Sequence, residues 1–251
     1  VRGIVRMAEL IIENKRMKVF QKQLGEWDNL NHLIVCKSTG KGCIVDPFDG
    51  IFWAEFCRQE NIELVQVWLT HSHWDHVKGI HSLPDCEIFI HEKEYERGWN
   101  GGETKRWTHA RWTLKTQTLG NLNFEIHVTP GHTPGHITIV GEGLVISGDC
   151  LFLGRCGRVD LFGSSEEAQR KSLTYLKYLF LDMEPTTVVL PGHQYPLPGG
   201  ENPTWLTVEQ ILQKNEAIHA VEDDDAWEKL GFLSFDDNLA EQARRKRAMN
   251  S

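Results

Sequence analysis

Short apolar runs alternate with polar turns from Lys18 onward. Residues 18–24 (KVFQKQL), 32–36 (HLIVC) and 42–48 (GCIVDPF) read as three short strands. Asn29 and Asn31 supply polar residues around one connection, and Gly40 and Gly42 punctuate the next. Residues 51–60 (IFWAEFCRQE) carry apolar side chains at helical spacing, and residues 63–70 (ELVQVWLT) return to a strand that stops at His71. A second helix is expected from about Asp75 to Leu83, then a strand over 87–91 (EIFIH). Residues 92–118, rich in Trp, Lys and Gly, show no assignable pattern.

The second half follows the same logic. Residues 124–130 (FEIHVTP) form a strand ending at Gly131-His132, and residues 136–149 form a hairpin across Gly141-Glu142-Gly143. Ser164 and Glu167 have capping-box spacing before an amphipathic helix over 169–181, and Thr207 and Gln210 repeat that spacing before residues 208–220. Residues 186–193 (TTVVLPGH) are a strand ending at His193, and the polar stretch 226–250 reads as helical. Alternating strands and helices predict an α/β domain over 17–200. Residues 1–16 add nothing to the pattern and read as an N-terminal extension. Residues 201–251 read as a helical C-terminal extension packed on the domain.

Composition narrows the function classes. Of 251 residues, 40% are hydrophobic and 25% charged, as in an ordinary globular chain. No apolar run approaches the roughly 18 residues of a membrane span. The first residues are broken by Arg6, Glu9 and Glu13 and lack the core of a secretory signal, so a cytoplasmic protein without a membrane partner is expected. A net charge of −8 disfavours nucleic acid as a partner. The basic run Arg244–Arg247 reads as a solvated face or tail. The 6 cysteines contain no CxxC pair and read as reduced thiols.

The chemistry concentrates in T-H-S-H-W-D-H, residues 70–76, which brings His71, His73, Asp75 and His76 within six positions. In extended backbone, alternate side chains point the same way, so His71 and His73 can meet one ion. Asp75 and His76 begin the following turn and can be aimed at a second. A lone histidine is usually a hydrogen-bonded core residue, but three with a carboxylate directly after a strand are a donor set for zinc or iron. His132 in T-P-G-H-T-P-G-H, Asp149 in I-S-G-D and His193 in L-P-G-H-Q-Y each follow an apolar strand and a glycine.

This ordered set, HxHxDH followed by His, Asp and His, resembles the metallo-β-lactamase superfamily over about residues 17–196. The resemblance implies a four-layer αββα sandwich with metals at one edge between the sheets. It implies His71, His73 and His132 on a first metal, Asp75, His76 and His193 on a second, and Asp149 bridging both. Two zinc ions are the implied cofactor, with iron or manganese as alternatives. A shared hydroxide would be the nucleophile on a small-molecule substrate, oriented by Asp75. The complete set argues against a non-catalytic binding protein.

Asp149 stands where β-lactamases of the superfamily carry Cys or Ser, so antibiotic hydrolysis is not expected. The stretch G-D-C-L-F-L-G-R-C-G-R-V-D-L and the G-H-Q-Y text resemble the glyoxalase II branch. That implies a thioesterase acting on a small acyl-thiol, with Arg158 and Tyr195 as substrate-binding candidates. Arg158 reads equally as an ion pair with Asp160, and Cys156 as packed. Two departures stand out: Val159–Gly163 replaces the branch's usual Phe-Tyr-Glu-Gly text, and only 58 residues follow His193. The alternatives are a mononuclear iron persulfide dioxygenase, with His71, His132 and Asp149 as its ligands, and another small-ester or lactone hydrolase of the fold.

Overall fold

The computed structural model of the chain describes residues 7–233. Its first sheet holds β1 (Glu9–Glu13), β2 (Met17–Leu24), β3 (Asn29–Cys36), β4 (Lys41–Val45), β5 (Glu63–Trp68), β6 (Glu87–His91) and β7 (Lys105–Trp107), side by side in chain order. The second holds β8 (Lys115–Leu119), β9 (Leu122–Val128), β10 (Ile137–Gly141), β11 (Leu144–Gly148), β12 (Val188–Pro191) and β13 (Leu206–Thr207), in reverse order from β13 to β8. The helices are α1 (Gly50–Gln59), α2 (Trp74–Val77), α3 (Lys93–Glu96), α4 (Glu166–Leu181), α5 (Val208–Lys214), α6 (Glu216–Ala220) and α7 (Asp224–Glu228).

The two sheets face each other across a core that includes Val19, Ile34, Trp68, Phe124, Ile139 and Ile146. Strands β3, β4, β11 and β12 are buried almost throughout because each has apolar neighbours on both faces. Trp53 and Phe56 of α1 cover the outer face of the first sheet. Leu173, Leu176 and Phe180 of α4 cover the second, together with Ile211, Ile218 and Trp227 from the three last helices. The layers are therefore αββα, as expected.

Several local expectations change. Residues 9–13, left without an element in the sequence pattern, form β1 at the edge of β2. Their E-L-I-I-E text hides the strand period, and Ile11 and Ile12 are only half-buried. The helix expected to Leu83 is a single turn, α2, followed by a 3-10 turn over Ile80–Ser82. Gly79 stops it by packing against the backbone of Pro47 and Gly50, where an added Cβ would lie 2.5 Å from Gly50 N. The cap of α4 is Ser165, which accepts from Ala168 N, while Ser164 turns back to Leu161 O.

The capping box of Thr207 and Gln210 forms, but residues 208–220 make two helices. Asn215 ends α5 and caps α6, and its amide also donates to Phe152 O and Arg155 O. In the stretch expected to be helical over 226–250, α7 reaches Glu228. Its remainder past residue 233, with Arg244–Arg247, lies outside the described residues. All six cysteines are free thiols. No helix among the described residues is long and apolar enough to cross a membrane.

Strand ends converge on one rim. Two backbone hydrogen bonds lock the sheets together there, Leu30 N to Gly192 O at 2.8 Å and Ile137 N to Thr70 O at 2.9 Å.

Candidate metal centre

Asp46 follows β4, His71 follows β5, His132 follows β9, Asp149 follows β11 and His193 follows β12, so rigid strands deliver side chains to the shared rim. His73 keeps extended backbone as the N-cap of α2, and the helix turn then carries Asp75 and His76 inward. All seven residues expected as ligands meet there.

They form two sets. His73 Nδ1 lies 3.0 Å from His71 Nε2 and 2.9 Å from His132 Nε2. On the other side, His193 Nε2 lies 3.1 Å from His76 Nε2 and 3.2 Å from Asp75 Oδ2. Asp149 sits between. Its Oδ2 is 3.5 Å from His132 Nε2 and 3.3 Å from His193 Nε2, and its Oδ1 is 3.4 Å from His76 Nε2. Donor atoms around a tetrahedral ion with bonds of about 2.0–2.1 Å are spaced by roughly 3.3 Å. The contacts in both sets, 2.9 to 3.2 Å, come close to that spacing.

The residues behind the donors set their tautomers. His132 Nδ1 donates to Arg158 O at 2.8 Å, and His193 Nδ1 donates to Trp27 O at 2.8 Å. Each bond leaves Nε2 facing the site. His76 Nδ1 lies 3.0 Å from Asp46 Oδ2. Asp46 also accepts from Thr70 N at 2.8 Å and Thr70 Oγ1 at 2.6 Å. It groups with His71 and His76 as a third conceivable donor cluster, but with its oxygens engaged it acts as a support. Asn29 Nδ2 donates to Asp75 Oδ2 at 2.7 Å.

Backbone placement is equally specified. Gln169 of α4 accepts from His132 N at 3.0 Å and donates to Cys150 O at 2.6 Å, which ties the His132 loop to the Asp149 loop. The fully buried Glu94 accepts from Ser72 N and Gly135 N, both at 2.8 Å, and so joins the loops bearing His73 and His132. His136 Nε2 accepts from Asp149 N at 3.1 Å and Cys150 N at 3.2 Å. A Cβ on Gly192 would stand 2.2 Å from Asp149 Oδ1, so only glycine fits before His193.

Protonation separates the two sets. Burial and the neighbouring imidazoles hold His71 well below its ordinary value and bring His73 down to about 2. Burial lowers His132 as well. These rings are neutral donors. Burial opposes a charge on His76, yet Asp149, Asp75 and Asp46 outweigh it and raise the ring to about 10. His193 is raised by Asp149 and Asp75 against the same burial. Burial works against ionisation of Asp149, but His193 and His76 hold it well below the usual carboxylate range. Asp75 is lowered by the same two rings against its burial.

The donors fit divalent cations. The outer nitrogens of His71, His76, His132 and His193 are already bonded, while the buried His73 Nε2 and Asp149 Oδ1 have no hydrogen-bond partner among the described residues. Nitrogen and carboxylate oxygen without thiolate suits zinc or iron.

The two substrate-binding candidates differ. Arg158 lies against the first set through its backbone, but Asp160 engages its guanidinium at two points, 2.5 and 2.6 Å. The Tyr195 ring lies tilted against Phe152 at 4.8 Å and His193 at 6.3 Å between centroids, at the edge of the second set. Cys156 is fully buried, and that burial pushes its thiol up to about 12, so it packs. Sequence reading passed over Asp46, Asn29, Glu94, His136 and Gln169. Asp46 and His136 carried a signal, a polar residue closing an apolar run and a second histidine in the TPGH repeat. The other three act across long chain separations and had none.

Between residues 28 and 193 the chain matches the family model described as Metallo-beta-lactamase superfamily. It is 32% identical over 174 residues to a hydroxyacylglutathione hydrolase of Tolumonas auensis, covering 66% of this chain and 62% of that protein. A protein of the same name from Pseudoalteromonas translucida is 30% identical over 189 residues, covering 74% and 66%. The matches thus span less than two thirds of either relative. Among solved structures, ETHE1 from Myxococcus xanthus superposes with a TM-score of 0.65 at 22% identity, covering 89% of this chain and 96% of that one. That is a likeness of fold.

Proposed function

Since the chain belongs to the metallo-beta-lactamase superfamily, we propose that it is a hydrolase, a binuclear thioesterase acting on a small acyl-thiol. The observation that carries this reading is the Asp149 carboxylate, placed between a three-histidine set and a His–His–Asp set. We assign His71, His73 and His132 to one ion, Asp75, His76 and His193 to the other, and Asp149 to both, with zinc as the metal. Two such cations supply Lewis acidity, acidifying water and polarising a thioester carbonyl.

The protein side of the reaction follows from the supports. Asp75, held by Asn29 and His193, orients the attacking water. The water oxygen adds to the carbonyl carbon, the carbon–sulfur bond breaks, and carboxylate, thiol and one proton leave. Cys150 and Cys156 take no part, because burial raises both thiols far above neutrality. The hydroxyacylglutathione hydrolase names of the relatives support an acyl-glutathione substrate.

A persulfide dioxygenase is the second reading, supported by the Arg158–Asp160 pair beside His132. One comparison separates the two. Purified protein with its bound metal is given S-lactoylglutathione and assayed for free thiol, then given glutathione persulfide in an oxygen electrode. Thiol release without oxygen uptake is expected. Oxygen uptake with no thioester cleavage would overturn the hydrolase reading.

A further inference from the structure

Large apolar side chains stand in the open directly beside the second donor set. Trp74 lies between His73 and Asp75 in the chain and is 58% exposed, and Trp27 is 45% exposed. Their rings meet edge to face at 6.1 Å, and Phe48 meets Trp74 edge to face at 6.0 Å. The Trp27 carbonyl orients His193, and the Trp74 backbone starts the turn that presents Asp75 and His76. Phe48 packs against Gly25, where a Cβ would lie 2.6 Å from the ring. Lys78 covers the outer edge, with Nζ 4.2 Å from the Phe48 centroid and 5.0 Å from that of Trp74.

The opposite side of the centre has different chemistry. Beyond the three-histidine set, the Arg97 guanidinium bonds Ser72 Oγ at 3.3 Å and Phe162 O at 3.0 Å, and Arg158 lies against His132. A thioester spanning the centre would therefore meet the Arg97 guanidinium at one end and aromatic rings at the other. Exposed apolar surface continuous with a reactive centre is surface that a ligand covers.

We infer that Trp27 and Trp74, backed by Phe48, bind the acyl half of the substrate, and that this half is apolar. The inference rests on the thioesterase reading and adds the acyl class to it. The charged thiol half lies toward Arg97. A polar two- or three-carbon acyl group leaves the wall largely uncovered, whereas a longer alkyl or aryl group covers it.

The test uses the metal-loaded protein and glutathione thioesters differing only in the acyl group: acetyl, lactoyl, butyryl, hexanoyl and phenylacetyl. The readout is the ratio of kcat/KM for hexanoyl to that for acetyl, which is insensitive to a uniform loss of activity. The native protein should show a ratio of at least about tenfold, a fraction of what complete burial of the added methylenes would give. Trp27→Ala should bring the ratio below about threefold, and Trp27→Phe should keep most of it, because a ring still covers the chain. Trp27→Ala leaves the backbone carbonyl to His193, and equal metal content in both variants checks this.

A flat ratio in native protein that does hydrolyse thioesters would overturn the inference and leave the thioesterase reading standing. So would a ratio unchanged in Trp27→Ala. Absence of cleavage for every thioester would defeat the underlying reading instead.

Discussion

Asp46 Oδ2 lies 3.0 Å from His76 Nδ1, and the same carboxylate accepts two hydrogen bonds from Thr70. One side chain thus orients a donor of the second set and fixes the backbone that precedes His71. Supports of this kind are worth roughly 10–100-fold in metal affinity. Asp46→Ala should weaken binding at the second set by about that factor, with a smaller effect on the first. Competition with a chelator, read as ions retained per chain, checks it. Equal weakening of both sets would show that Asp46 acts through Thr70 alone.

Asp149→Ala should cost more metal and more rate than His193→Ala. The carboxylate borders both donor sets, whereas His193 belongs to one. Removing it also leaves two cations facing each other with less negative charge between them. Metal content of both variants, each confirmed as folded by circular dichroism, decides the order. Two tightly held ions in Asp149→Ala would contradict it.

Metal uptake should be pH-dependent at the second set and not at the first. In the ion-free protein, His76 titrates at about 10 and His193 is likewise raised, so both rings are protonated at neutral pH and must lose those protons to bind a cation. His71, His73 and His132 are lowered and have no proton to give. Affinity at the second set should therefore rise as pH increases from 7 toward 10. Calorimetry in buffers of different ionisation enthalpy should show more proton release for the second ion than for the first. Equal release for both would contradict this account.

The layered fold and the donor residues were legible in the chain for a common reason. Runs such as 63–70 and 186–193 are apolar to their ends and stop at a histidine, so strand and ligand are written side by side. The supports were less legible because their partners are remote: Gln169 meets His132 across 37 positions, and Asn29 meets Asp75 across 46. The length of α2 was misjudged because Gly79 stops it through packing on Pro47 and Gly50, a contact with no local signature. Arg158 carried two readings, and geometry pairs it with Asp160 because the two side chains lie two residues apart on one loop.

Zinc titration of metal-free protein, with thioester cleavage followed at each step, tests the central claim most directly. The account predicts that thiol release rises with added zinc and reaches its plateau only when each chain holds two ions, one per donor set. A plateau at one ion per chain, with the second ion adding nothing to the rate, would contradict a binuclear thioesterase.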